Sequence, residues 1–177
     1  MTTSSAPPSS FDSAVTVESL GHIGLFGGLG PEILGFLATT LRSSKLSAGE
    51  VVFKEGETAC AMYVVLSGEF EVLKRSKRGI DARVAMLGMG DWFGEMSILD
   101  VQPRSATVRA LAPSRLLMIS SGDLDAIYRR DQKSYALLVL NVARELSRRL
   151  RVADGILADL VVSLLDELVV SRHGTAT

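Results

Sequence analysis

Between Leu46 and Ile119, glycines at positions 49, 56, 68, 79 and 88 cut the chain into apolar runs too short to be helices. Val51–Phe53, Met62–Leu66, Glu69–Lys74 and Arg83–Leu87 read as strands bounded by those turns. Ala106–Ala110 and Arg115–Ile119 supply two more, with Pro113 at the turn between them. None of these strands can bury a core alone, but two facing sheets can. Short strands at turn-signalled intervals favour a jelly-roll barrel or sandwich. The expected fold is therefore mainly β with flanking helices, a β jelly roll followed by a long C-terminal helix.

The flanks read differently. Residues 1–14 are rich in Ser, Thr and Pro and are expected to be a disordered lead-in. From Val15 the pattern turns apolar, and Leu20, Ile23, Leu25 and Phe26 form a short helix and turn. Pro31 then opens a helix over Glu32–Arg42 with Ile33, Leu34, Leu37 and Leu41 on its apolar side. The intervening LFGGLG follows no strand and lacks the GxGxxG or GxxxxGK[ST] spacing, so it is not read as a phosphate cradle.

After the strands, SGDLDAIYRR predicts a helix that starts about Ser121 with a hydroxyl cap, its exact cap residue left open, and acids at Asp123 and Asp125, ending near Arg130. A longer helix follows from about Gln132 toward Val170. Its apolar positions Val139, Ala143, Leu146, Leu150, Ala153, Leu157, Leu160 and Leu164 alternate spacings of four and three, which makes a heptad seam. Such a helix extends about 50 Å, more than one small domain covers, so its far half is expected to pair with a second subunit in a two-fold dimer. Gly155 is a point where it can bend; the alternative folds Asp159–Val170 back on its own domain. The expected organisation is a lead-in at 1–14, a β domain with flanking helices at 15–131, and a dimerising helical segment at 132–170.

Composition narrows the function classes. A chain of 177 residues suits one developed core, and 47% hydrophobic residues support a folded body. With 19 basic and 20 acidic side chains the net charge is -1, so no global field draws in nucleic acid. The basic run Lys74, Arg75, Lys77 and Arg78 at a hairpin tip reads as a solvated turn that discourages edge pairing, ahead of a contact with nucleic acid or an acidic partner. The single cysteine, Cys60, excludes an internal disulfide and reads as a small apolar side chain. His22 and His173 lie in flanks, too far apart in sequence to suggest a metal centre. No charge-poor apolar stretch reaches membrane length and no secretory signal opens the chain, so a cytoplasmic location is expected.

The chemistry concentrates in Trp92–Ala110, WFGEMSILDVQPRSATVRA. Amides near Gly94–Ser97, at the start of a short helix, suit a phosphate, and Arg104 supplies a forked cation for its oxygens. Glu95 repels a phosphate but accepts a hydrogen bond from a sugar hydroxyl. A phosphate fused to a ribose satisfies both groups. An enzyme would need clustered metal ligands or an acid–base pair, which two remote histidines do not supply, so a binding protein is expected.

FGEMSILDVQPRSATVRA closely resembles the phosphate-binding cassette of cyclic nucleotide-binding domains, the family that includes the catabolite activator protein and the regulatory subunits of protein kinase A. The upstream LSAGEVVFKEGETACAMYVVLSGEFEVL resembles it too, and the likeness runs from about Leu20 to Leu157. It implies a cyclic nucleotide ligand, cyclic AMP first, cyclic GMP second and a cyclic dinucleotide more distantly, with no resident cofactor. By this resemblance Arg104, Ser105 and Ala106 meet the phosphate, Gly94 leaves room for the sugar and Glu95 takes its 2′-hydroxyl. Met96 and Ser97 complete the polar cup, Val84 and Leu87 stand as wall residues, and Arg149 lies near the base. Ala153 and Asp154 stand where the activator protein has two hydroxyl residues, which weakens the case for tight adenine selection. Some relatives bind haem, for which His22 or Cys60 would be the ligand, though nothing near either supports it. The transcription-factor relatives append a helix-turn-helix; the residues up to Thr177 are too few for one, so no direct DNA binding is expected. The output is then subunit association or contact with an unidentified protein. The competing reading is a dimerisation or protein-interaction module with a degenerate pocket.

Overall fold

The structure, a computed structural model, describes residues 14–58 and 61–173, with side chains as far as residue 165. The lead-in expected at 1–14 lies outside the described residues except for Ala14, as do Cys60 and the side chain of His173.

Helix α1 (Val17–Gly21) starts where Thr16 and Ser19 exchange a capping box, Ser19 N–H donating to Thr16 Oγ1 at 3.1 Å and Thr16 N–H to Ser19 Oγ at 2.9 Å. A 3-10 turn at Gly24–Phe26 leads to α2 (Pro31–Thr40), with proline at its opening position, where no N–H is needed. Leu20, Leu25, Phe26 and Leu37 are fully buried, as the apolar pattern predicts.

Eight strands follow: β1 (Arg42–Leu46), β2 (Val51–Phe53), β3 (Ala61–Ser67), β4 (Phe70–Arg75), β5 (Asp81–Leu87), β6 (Trp92–Phe93), β7 (Thr107–Ala110) and β8 (Ser114–Ser120). They form two four-stranded antiparallel sheets, in the orders β1-β8-β3-β6 and β2-β7-β4-β5. This corrects the jelly-roll expectation. No ladder among the described residues joins one sheet to the other or closes either on itself, and the outermost pairings end on strands of two and three residues at β6 and β2. Strands that short present too few backbone groups to carry pairing around a barrel. The sheets are held face to face by side chains instead. Phe53, Val65, Phe70, Leu87, Phe93, Val108, Ala110 and Leu116 form one buried cluster drawn from both, with Phe93 stacking on Tyr63 at 5.5 Å.

Two strands carry no pattern of their own. β1 reads RSSKL and exposes four of its five residues; it is a strand because its backbone pairs with β8, Arg42 opposite Met118 through Leu46 opposite Ser114. β6 is made by the pairing of Trp92 and Phe93 with Val64 and Tyr63.

Helix α4 (Ser121–Arg130) begins one residue earlier than the hydroxyl at Ser121 suggests, for the cap is Ser120. Its Oγ accepts from Asp123 N–H at 3.2 Å while Asp123 Oδ2 accepts from Ser120 N–H at 2.8 Å. Extended backbone at Asp131 separates α4 from α5 (Gln132–His173), and the Asp131 carboxylate accepts from Ser134 Oγ at 2.5 Å and Lys133 N–H at 3.0 Å. The Ser134 bond is the chief reason its carboxyl is held below the usual aspartate range. The helix α5 runs unbroken through Gly155, so the fold-back alternative is not adopted.

The chain divides into two compact units, one reaching Val139 and one from Leu140. The first holds both sheets, the shorter helices and the opening turns of α5, where Ser134 and Leu138 are buried. The second is helix, and its seam residues Leu150, Leu157, Leu160 and Leu164 are each more than half exposed. Among the described residues no helix is long and apolar enough to cross a membrane.

Replacing the cap tests the start of α4. Ser120→Ala is expected to lower unfolding stability by about 1 kcal/mol and Ser121→Ala by less than about 0.5, measured by urea denaturation.

Candidate functional site

Arg104 sits just ahead of β7, and its main chain is tied to the loop after β2. Its N–H donates to Glu57 O at 2.8 Å and its carbonyl accepts from Gly56 N–H at 2.9 Å. The side chain turns inward and is only 3% exposed. Nη1 donates to Gly94 O at 3.0 Å, Nη2 donates to Ala61 O at 2.7 Å, and the guanidinium carbon lies 3.8 Å from the centre of the Phe53 ring. Burying a cation is costly, and the two carbonyls with the aromatic face offset part of that cost.

Gly94 shows why only glycine serves there. Its φ is +82°, and a Cβ would fall 2.5 Å from Arg104 Nη1. The room attributed in the sequence to a sugar is filled here by the guanidinium. Glu95, 3% exposed, precedes the one-turn helix α3 (Met96–Leu99), whose first helical donors are Ile98 and Leu99 N–H, both bonded to Glu95 O at 3.0 Å. The N–H groups of Met96 and Ser97 therefore lie ahead of the helical ladder. Ser97 is buried, Met96 half exposed. Ser105 Oγ contacts Met96 Sδ at 3.7 Å, and Ala106 is half-buried beside it.

The structure thus brings Gly94, Glu95, Met96, Arg104 and Ser105 together, with Ser97 and Ala106 beside them in sequence. Val84 stands apart, 59% exposed at a bulge where Val72 pairs with Ala85 and Leu73 with Arg83, while Leu87 turns into the core cluster. Arg149 belongs to the second unit, where its Nε donates to Glu145 Oε1 one helical turn back at 3.1 Å.

The sequence reading missed the residues that seat the arginine: Phe53 beneath it, and the carbonyls of Ala61 and Gly94. A backbone carbonyl leaves no mark in a sequence, and Phe53 reads as ordinary core. It also missed the turn at Val101, which holds a β-branched residue at φ +52° with its side chain 86% exposed.

Comparison with known proteins decides the family. The cyclic nucleotide-binding domain profile matches residues 43–131, half of the chain. The chain is a member of the cyclic nucleotide-binding domain family. The cyclic AMP receptor protein of Thermus thermophilus is 35% identical over 130 residues, covering 73% of this chain and 58% of that protein. The CRP-like cAMP-activated global transcriptional regulator of Mycobacterium tuberculosis is 32% identical over 145 residues, covering 81% and 62%. Among solved structures, the N-terminal domain of a transcriptional regulator from Streptomyces coelicolor superposes with a TM-score of 0.66 at 30% identity, covering 74% of this chain and 94% of that one. The match therefore spans about three-fifths of the length of these two curated relatives.

The cyclic nucleotide-binding domain is what the chain shares with these receptor and regulator proteins. Among the described residues no group of three or more histidine, cysteine or acidic side chains is placed to hold a metal ion.

Gly94→Ala is expected to cost about 2 to 3 kcal/mol in urea unfolding, because the added carbon drives Arg104 from its acceptors and the backbone is left-handed.

Proposed function

We propose that the chain is a cyclic nucleotide sensor, with cyclic AMP as its first ligand and cyclic GMP as its second, that signals through its C-terminal helix. The observation that supports it most is the seating of Arg104 on the Gly94 and Ala61 carbonyls, beside the buried Glu95. Each terminal nitrogen of the guanidinium carries two N–H groups and gives one to a carbonyl, so in this reading a phosphate takes the second of each once ligand entry uncovers the buried side chain. In this reading Ser105, Ala106 and the amides of Met96 and Ser97 complete the phosphate and sugar contacts, and Glu95 accepts from the ribose 2′-hydroxyl. The cyclic AMP receptor and cAMP-activated regulator among the relatives favour adenine. Ala153 and Asp154, without hydroxyls, favour a looser choice.

One cavity supports a route for the signal in this reading. Ile98 of α3 lines a cavity of about 370 Å³ together with Leu124 and Tyr128 of α4 and Tyr135 at the start of α5. Ligand that draws on the amides of α3 moves one wall of that cavity. It shifts the helices to the extent that it binds one arrangement more tightly than the other. The exposed heptad seam supports a homodimer through α5, with the output passed to a separate protein.

Isothermal titration with cyclic AMP, cyclic GMP and a cyclic dinucleotide tests the ligand. Arg104→Ala is expected to weaken the preferred nucleotide by at least about 1 to 3 kcal/mol, and Arg104→Lys to recover only part of that. An unaltered dissociation constant in Arg104→Ala would refute the assignment. A wild-type chain that gives no heat with any of the three, yet remains dimeric, would favour a dimerisation module with a degenerate pocket.

The seam makes its own prediction. Leu150→Glu combined with Leu157→Glu is expected to convert dimer to monomer in sedimentation analysis, since apposed carboxylates at the seam repel and desolvate. Equal masses for variant and wild type would count against pairing through α5.

A further inference from the structure

The basic hairpin tip is not only a solvated turn. Lys74, near the end of β4, reaches two acceptors at once: its Nζ donates to Glu55 Oε1 and to the main-chain carbonyl of Ser105, each at 2.6 Å. Glu55 is itself held in place. Its Oε2 accepts from Arg75 N–H at 3.0 Å, and its own N–H donates to Thr107 Oγ1 at 3.0 Å. The bond from Lys74, followed by that from Arg75 N–H, keeps the Glu55 carboxyl below the usual glutamate range. One ammonium thus links β4, the loop after β2 and the turn that carries Arg104 and Ser105.

An ion pair this exposed, with side chains 49% and 29% accessible, adds little stability by itself. Its consequence is geometric. In a planar trans peptide the carbonyl and the following N–H point in opposite directions, so fixing Ser105 O toward Lys74 aims Ala106 N–H away from it. The same turn is also anchored by the Arg104 bonds to Gly56 and Glu57. Lys77 and Arg78, two and three residues beyond the strand end at Arg75, are simply exposed.

We propose that Lys74, braced by Glu55, is a positioning residue for phosphate recognition: it orients the Ser105–Ala106 peptide without touching the ligand. The inference rests on the cyclic nucleotide reading above and adds to it a residue outside the cassette.

Titration of cyclic AMP and cyclic GMP into Lys74→Met, Lys74→Arg, Glu55→Gln and Lys77→Met tests it. The expected result is about a tenfold weaker dissociation constant for Lys74→Met, recovery to within about threefold in Lys74→Arg, about threefold weakening in Glu55→Gln and no change in Lys77→Met. Wild-type affinity in Lys74→Met would overturn the proposal, as would an equal loss in Lys77→Met, which would mark a general effect of net charge. Tighter binding by Glu55→Gln would also overturn it, since that outcome makes Lys74 a direct phosphate cation freed from its partner. If the wild-type chain binds neither nucleotide, the sensor reading fails, and amide hydrogen exchange judges the brace alone. Faster exchange at Gly56 and Arg104 in Lys74→Met, with Val65 and Ala110 unchanged, supports it; equal rates at Gly56 and Arg104 overturn it.

Discussion

A guanidinium buried against two main-chain carbonyls and an aromatic ring dictates most of what surrounds it. Burying an unmet charge costs several kcal/mol, and Gly94 O, Ala61 O and the Phe53 face each offset part of that cost for Arg104. Each acceptor carries its own condition. Gly94 must lack a side chain and hold a left-handed backbone, Ala61 must begin β3 at that height, and Phe53 must end β2 beneath the cation. The sheets are, in that sense, a frame for three backbone and ring positions around one side chain.

The frame is open rather than closed, and this fits its task. Two sheets that meet through Phe53, Phe70, Phe93 and their neighbours, and not through a shared ladder, get their rigidity from close-packed rings. Their borders can then be loops, and the cassette between β6 and β7 is one of them. A loop has no ladder to hold its peptides in place, so it borrows acceptors and donors from neighbours: Gly56 and Glu57 on one side, Lys74 on the other. Within the same segment Val101 holds a left-handed backbone, which a β-branched residue adopts only at a local cost.

The helix α5 poses the opposite problem. From Leu150 onward its described side chains are exposed, including leucines and valines at positions where a solitary helix gains nothing from them. A helix in a folded protein draws most of its stability from a packed apolar face, which is the physical ground for the proposed pairing through α5.

How much of this could be read in the sequence depends on where the information lies. Strand runs between glycines, Pro31 at the start of α2 and the heptad leucines of α5 are local patterns, and they placed most elements to within a few residues. Gly94, Glu95, Arg104 and Ser105 were legible as a group because one short segment carries them all. β1 was not legible, since RSSKL becomes a strand only by pairing with β8. Sheet closure was not either, because alternation records which face of a strand is buried and says nothing about which edge meets which.

The amino-acid order alone determined that the chain would have a glycine-punctuated β body, a long amphipathic helix and one short segment that carries Gly94, Glu95, Arg104 and Ser105 together. Only the tertiary structure decided that Gly94 makes way for a guanidinium, that Phe53 lies under it, and that Lys74 reaches Ser105 across 31 residues of sequence. The reason is physical: periodicity and turn chemistry are encoded residue by residue, whereas a hydrogen bond to a distant carbonyl depends on where the whole packed chain has carried both ends.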